Sequence, residues 1–142
     1  MKRTPVKIRV IYADTDALGI VYHTNYIRWF EIGRTELLRD VGILYYKGME
    51  ASGLNLPLTQ AYCHYHLPAR YDDIVLLETD IDYLKRASMK FTYRIWDENR
   101  CNLLAEGYTV HACTDRNGKI LRIPAETAAK IRQNISKSME QR

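Results

Sequence analysis

Two carboxylates and one imidazole, Asp14, Asp16 and His23, lie close together in the stretch YADTDALGIVYHTNY. A carboxylate can take a proton from water or attack a carbonyl carbon itself. Directly after the histidine, an amphipathic run begins that has the spacing of a long helix. The start of a helix carries unpaired backbone N–H groups and the positive end of the macrodipole. A carboxylate brought beside such a start supplies both parts that acyl transfer needs: a base or nucleophile, and donors for the oxyanion that results. The same residues also have ordinary structural uses, because Asp before a helix commonly turns or caps the chain. Asp14 is assigned to that structural use, and from the residues alone Asp16 is assigned to it as well.

The elements around these residues follow from periodicity. Val6, Ile8, Val10 and Tyr12 alternate with Lys7, Arg9 and Ile11, which predicts a strand running into the turn at residues 14–19. From 25 to 41 the apolar residues Tyr26, Ile27, Phe30, Leu37, Leu38 and Val41 recur at helical spacing, and Gly42 supplies a stop. Trp29 and Ile32 widen that apolar surface, so the helix is expected to be buried on several sides, with Arg28, Arg34, Glu36 and Arg39 on its wetter side. Residues 43–53 read as a short helix or an irregular loop. The period then changes to two. Strands are expected at 56–71, with Pro68 near the end, and at 74–84, 88–97 and 103–114. Turns are expected at 97–100 and at 115–118, where Asn117-Gly118 is a strong tight-turn signal, and a short strand at 119–123. Pro124 opens a terminal helix in the first-turn position that proline tolerates.

A strand, a long helix and then a run of strands gives an α+β chain without the βαβ alternation of a doubly wound sheet. The natural packing is one helix against one large, mostly antiparallel sheet of about five strands, plus a C-terminal helix. The 142 residues are expected to form a single domain, 1–142. One helix covers only one face of such a sheet, which predicts a homo-oligomer, either a dimer or a dimer of dimers.

Composition narrows the partners. The net charge of +4 is compatible with a phosphate-bearing small molecule or weak nucleic-acid contact and establishes neither, and no charge run is long enough for a nucleic-acid arm. No nucleic acid partner is expected. The basic residues Lys130, Arg132, Lys137 and Arg142 of the terminal helix read as a solvated face. No apolar run reaches membrane-spanning length, and the N-terminal residues lack the apolar core of a secretory signal. Cys63, Cys101 and Cys113 are odd in number with no CxxC pair, which fits reduced thiols and a cytoplasmic location. His64 and His66 share one strand face, as do His111 and Cys113, but this alternation is common by chance and no metal site is assigned to them.

The segment from Asp14 to Tyr26 resembles the signature of the hotdog-fold acyl-CoA thioesterases, in the 4-hydroxybenzoyl-CoA thioesterase branch and most closely its Tol–Pal-associated members. The likeness continues through Arg34-Thr35-Glu36-Leu37-Leu38-Arg39, resumes at Pro68-Ala69-Arg70-Tyr71-Asp72-Asp73, and closes at Leu121-Arg122-Ile123-Pro124. It implies a long helix wrapped by an antiparallel sheet, in agreement with the element order. It implies an acyl-CoA substrate and no metal or redox cofactor, coenzyme A being part of the substrate. By the resemblance, Asp16 is the base or nucleophile and the backbone N–H of His23 is the oxyanion donor, with its ring a secondary proton carrier or positioner. Lys85 and Arg86 align with a basic cluster that contacts the coenzyme A nucleotide. That cluster is longer in the relatives, and here the third position is Ala87. The acyl group is expected in an apolar groove between subunits. Two other uses of the same framework are a non-catalytic acyl-CoA-binding module and an enoyl-CoA hydratase. An intact Asp16 argues against the first. The second normally needs Asp and His closer together than Asp16 and His23.

Overall fold

The computed structural model describes residues 4–50 and 53–140, side chains excepted at position 46 and at 136–140. In chain order the elements are strand β1 (Val6–Arg9), helix α1 (His23–Asp40), strands β2 (Leu58–Tyr65), β3 (Ile74–Leu84), β4 (Ser88–Asp97) and β5 (Leu103–Ala112), and helix α2 (Ala125–Glu140). A single 3-10 turn at Tyr12–Asp14 precedes α1, and a π-helical turn at Tyr45–Glu50 follows it.

Alternation builds the sheet. Val75, Leu77 and Thr79 are buried on β3, Met89, Phe91, Tyr93 and Ile95 on β4, and Thr109 and His111 on β5. A two-residue period puts these side chains on one face of the sheet. All neighbouring strands pair antiparallel, in the order β1-β3-β4-β5-β2. Helix α1 lies on the apolar face with Tyr26, Trp29, Phe30, Gly33, Leu37 and Leu38 buried. The Phe30 ring stacks on Tyr93, with centroids 4.1 Å apart. Two glycines permit this close approach. A Cβ at Gly33 would strike Thr79 and Leu77, and one at Gly107 would strike the Tyr62 carbonyl and the Phe30 ring. A long helix wrapped by a five-stranded antiparallel sheet, with a second helix beside it, is the expected hotdog arrangement.

A chain of polar groups crosses the core beneath α1. The Tyr93 hydroxyl bonds Thr109 at 2.6 Å, Thr109 bonds His111 Nε2 at 2.9 Å, and His111 Nδ1 lies 3.0 Å from the Leu56 carbonyl. Arg34 meets this chain at the Tyr93 hydroxyl, so it is half-buried rather than on the wet side expected for it.

Several boundaries differ from expectation. Helix α1 starts at His23, two residues earlier than the apolar spacing implied. Strand β2 ends at Tyr65 rather than at 71. The His66 and Leu67 amides both reach the Leu104 carbonyl, and Pro68, with no N–H to give, stops the ladder there. The strand expected at 119–123 is reduced to a single bridge between Thr114 and Ile120. Within 43–53, Ala51 and Ser52 lie outside the described residues. In α2, Lys130 and Arg132 are exposed as expected; the Lys137 side chain and Arg142 lie outside the described residues.

Candidate active site

The loop between β1 and α1 is closed by Asp14. This residue is buried, and both of its side-chain oxygens are occupied. Oδ2 accepts the Ile11 N–H at 3.0 Å, and Oδ1 accepts a charge-assisted bond from Arg28 on α1 at 2.6 Å. Its carbonyl accepts the Tyr22 N–H and the Asn25 side-chain amide, each at 2.8 Å. With both carboxylate oxygens engaged, Asp14 ties the loop to the first turn of the helix.

Asp16 stands in a different environment. Thr15 bridges Val21, and the Asp16 N–H reaches the Ile20 carbonyl at 2.9 Å, folding 15–21 into a tight hairpin. The tip turns at Gly19, whose φ of +79° is a left-handed conformation that glycine adopts without strain. The carboxylate is held by one bond only, Oδ1 accepting the Leu18 N–H at 2.9 Å in an Asx turn. Its Oδ2 has no hydrogen-bond partner among the described residues. The side chain is half-buried. It is thus fixed at one oxygen and available at the other.

The hairpin returns the chain to the helix start. Val21 is anchored by its N–H to the Ala69 carbonyl at 2.9 Å, and Ile20 bridges Arg70. Ala69 and Arg70, in the segment between β2 and β3, therefore hold the hairpin in place. Tyr22 is the N-cap and makes no side-chain cap bond. His23 is the first helical residue. Among the described residues, the backbone N–H groups of His23 and Thr24 have no acceptor, as the first turn of a helix requires. The His23 ring is exposed, 4.4 Å from the Tyr22 ring, while its carbonyl accepts a bond from the Tyr65 hydroxyl at 2.8 Å. A half-free carboxylate and a pair of open amides at a positive helix end are suited to forming and stabilising a tetrahedral oxyanion.

Lys85 and Arg86 are not brought to this site within one chain. Both are exposed in the β3–β4 hairpin, where Lys85 lies over the Tyr83 ring. The Asp14–His23 loop adjoins the start of β3, because Val10 bonds Asp73. Eleven residues of β3 therefore separate the two places, about 30 Å of strand. The two histidine pairs also lie apart. His64 and His66 stack on each other and His66 reaches Glu106, whereas His111 is buried in the core chain with Thr109 and Leu56. No group of three or more potential ligand side chains able to hold a metal occurs among the described residues.

Two residues of the site were not legible from spacing. Arg28 lies on the exposed side of α1 as expected, but its pairing with Asp14 was not foreseen. Tyr65 fell inside an alternating strand with nothing to mark it. Alternation assigns Tyr65 to the face shared by Ala61 and Cys63, but it does not say which helix residue that face meets.

Comparisons with known proteins agree with this fold. The family described as the thioesterase-like superfamily matches residues 10–131. The chain is 42% identical to a candidate esterase of Aquifex aeolicus, over 83% of this chain and 89% of that one. It is 34% identical to a Bacillus subtilis protein named as a candidate acyl-CoA thioesterase, over 78% of each. Among solved structures it is similar to a DHNA-CoA thioesterase from Staphylococcus aureus, with a TM-score of 0.86 and 26% identity over 95% of this chain and 94% of that one.

Proposed function

This chain belongs to the thioesterase-like superfamily, and from that premise we propose that it is an acyl-CoA thioesterase in which Asp16 is the base or nucleophile and the His23 backbone N–H the oxyanion donor. The observation that carries the reading is the contrast between the two acids. Asp14 has both carboxylate oxygens engaged, while among the described residues Asp16 has a partner at only one, in a hairpin that ends at the first amides of α1. The acyl-CoA class is supported by what relatives are named for: the Bacillus subtilis protein as a candidate acyl-CoA thioesterase and the Staphylococcus aureus structure as a DHNA-CoA thioesterase.

The chemistry runs by one of two routes. Asp16 attacks the thioester carbon, the C–S bond breaks, and water then opens the resulting anhydride. Alternatively, Asp16 takes a proton from water, whose oxygen attacks the same carbon. Either route gives a carboxylic acid and free coenzyme A. In both, the carbonyl oxygen becomes an oxyanion and the first amides of α1 receive it. The reaction needs no metal or redox cofactor.

We further propose that the working form is a homo-oligomer, a dimer or a dimer of dimers. Strand β2 is an edge strand of eight residues with no proline and no Asp, Glu, Lys or Arg, and it exposes Leu58, Tyr62 and Tyr65. Such an edge is a template for pairing. Two sizeable depressions of a single chain, about 730 and 580 Å³, are lined by neither Asp16 nor His23. An acyl groove completed by a second copy accounts for this, and Lys85 and Arg86 of that copy would then meet the coenzyme A phosphates. No described helix is long and apolar enough to cross a membrane, and three free thiols fit the reducing cytoplasm.

The test is free-thiol release from short, long, branched and aromatic acyl-CoAs by wild type and Asp16→Ala. Loss of turnover of about 10²–10⁴-fold in the variant is expected. If no acyl-CoA is cleaved faster by the wild type, the thioesterase reading fails. Crotonyl-CoA hydration in the same samples would reveal a hydratase instead.

A further inference from the structure

The start of α1 lacks the usual side-chain lock. Its N-cap, Tyr22, makes no cap bond, and the Asn25 side chain turns away to the Asp14 carbonyl. The lock comes from the sheet instead. Tyr65, the last residue of β2, donates its hydroxyl proton to the His23 carbonyl at 2.8 Å. Its ring packs edge-on against Tyr26, with centroids 5.0 Å apart, and against the His23 ring at 6.3 Å. We propose that Tyr65 is a positioning residue of this enzyme, holding the first peptide of α1 so that its open amides face the developing oxyanion. This rests on the thioesterase reading given above.

The peptide plane explains why a bond to a carbonyl governs an amide. The His23 C=O and the Thr24 N–H belong to one planar trans unit and point in opposite directions. Fixing the carbonyl fixes the Thr24 N–H, and through the rigid first turn also the His23 N–H. A preorganised donor costs no reorganisation when charge develops, which is the source of its catalytic effect. The phenol remains a proton donor throughout the neutral range, because burial and then the adjacent Cys63 thiol push its pKa upward. Burial raises the Cys63 thiol to about 11, so the thiol beside the phenol is also uncharged at neutral pH. Tyr65 touches no reacting atom in this scheme and acts only through the helix start.

Tyr65→Phe isolates the claim, because the ring and its edge contacts remain and only the hydroxyl is lost. The expected result is a drop in kcat of about tenfold, the effect of one neutral hydrogen bond. KM should stay within about twofold, and the fall should be a constant factor at every pH, because no titrating group is removed. An unchanged kcat, or a rise in KM alone, overturns the proposal. So does loss of one limb of the pH profile, which would make Tyr65 an acid–base group. A second measurement is independent of turnover: the His23 carbonyl carbon and Thr24 amide nitrogen resonances should move in Tyr65→Phe at unchanged melting temperature. If they do not move, positioning is wrong. A wild type that cleaves no acyl-CoA while these resonances do move would sink the thioesterase reading and leave the hydrogen-bond lock standing.

Discussion

Asp14 and Asp16 are two residues apart and have the same side chain, yet their surroundings divide structure from chemistry. Asp14 takes the Ile11 amide and the Arg28 guanidinium into a buried position. Removing its carboxylate leaves the part-buried Ile11 N–H without its acceptor and takes the charged partner from Arg28, which keeps Asn25 and solvent; an orphaned buried donor costs more than the bond itself contributes. Asp14→Ala should therefore lower unfolding stability by about 1–3 kcal/mol, read from the urea midpoint at an unchanged m-value. Asp16→Ala loses one exposed Asx bond to Leu18, so its stability should stay within about 1 kcal/mol of wild type while turnover collapses. Equal stability loss in the two variants would contradict this division. The residue types and their proximity to a helix were plain in the sequence. The division between them was legible only in outline, because it depends on Arg28, fourteen positions from Asp14 and brought to it by the turn of the helix.

At the scale of elements, the period-2 and period-3.6 patterns carried most of the fold. Strands β3 and β4 fall where alternation puts them, since both are central and their register is enforced by a buried face. The expected strand ran past β2 because His66 and Leu67 continue its polar–apolar rhythm after the regular ladder has ended. What ends the strand is the loss of a donor at Pro68 and the competing demand of the loop before α1, and neither appears in a window of side-chain types. The polar chain linking α1, β4, β5 and the Leu56 loop was also invisible, because it joins positions that are distant in sequence. His111 sits in this chain with 1% of its surface exposed, and burial pulls its pKa down to about 4 against an ordinary value of 6.5. The Leu56 carbonyl opposes that shift and the nearby Arg34 charge adds to it. Between those two values the unfolded chain binds a proton that the folded chain refuses. Stability from this group is therefore complete above about pH 6.5, falls as the pH drops toward 4, and levels off below, a span of up to about 3 kcal/mol. Urea unfolding at pH 7.5 and pH 5 should show the loss in wild type, and His111→Gln should show a shallower one. Parallel slopes would remove His111 from the account.

At the scale of the whole molecule, the open question is how a site near the start of β3 can use cations at its far end. Within one chain, Lys85 and Arg86 are about 30 Å of strand away from the Asp16 hairpin. A two-fold partner pairing antiparallel along the β2 edge reverses this relation, because it lays the far end of one sheet beside the near end of the other. The acid and the cations of one working site would then come from different copies. Complementation tests this directly. Chains carrying Asp16→Ala and chains carrying Lys85→Glu with Arg86→Glu should each form weakly active homo-oligomers. Co-refolded at equal amounts as dimers, about half of the molecules are mixed, and each mixed dimer holds one site with both parts intact. Thiol release should recover to about a quarter of the wild-type rate, with light scattering showing an unchanged mass. If the acid and the cations served one site from the same chain, every site in the mixture would lack one or the other, and no recovery would be seen. A clean monomer in light scattering would remove the premise altogether, because β2 would then be an edge with no second copy to pair it.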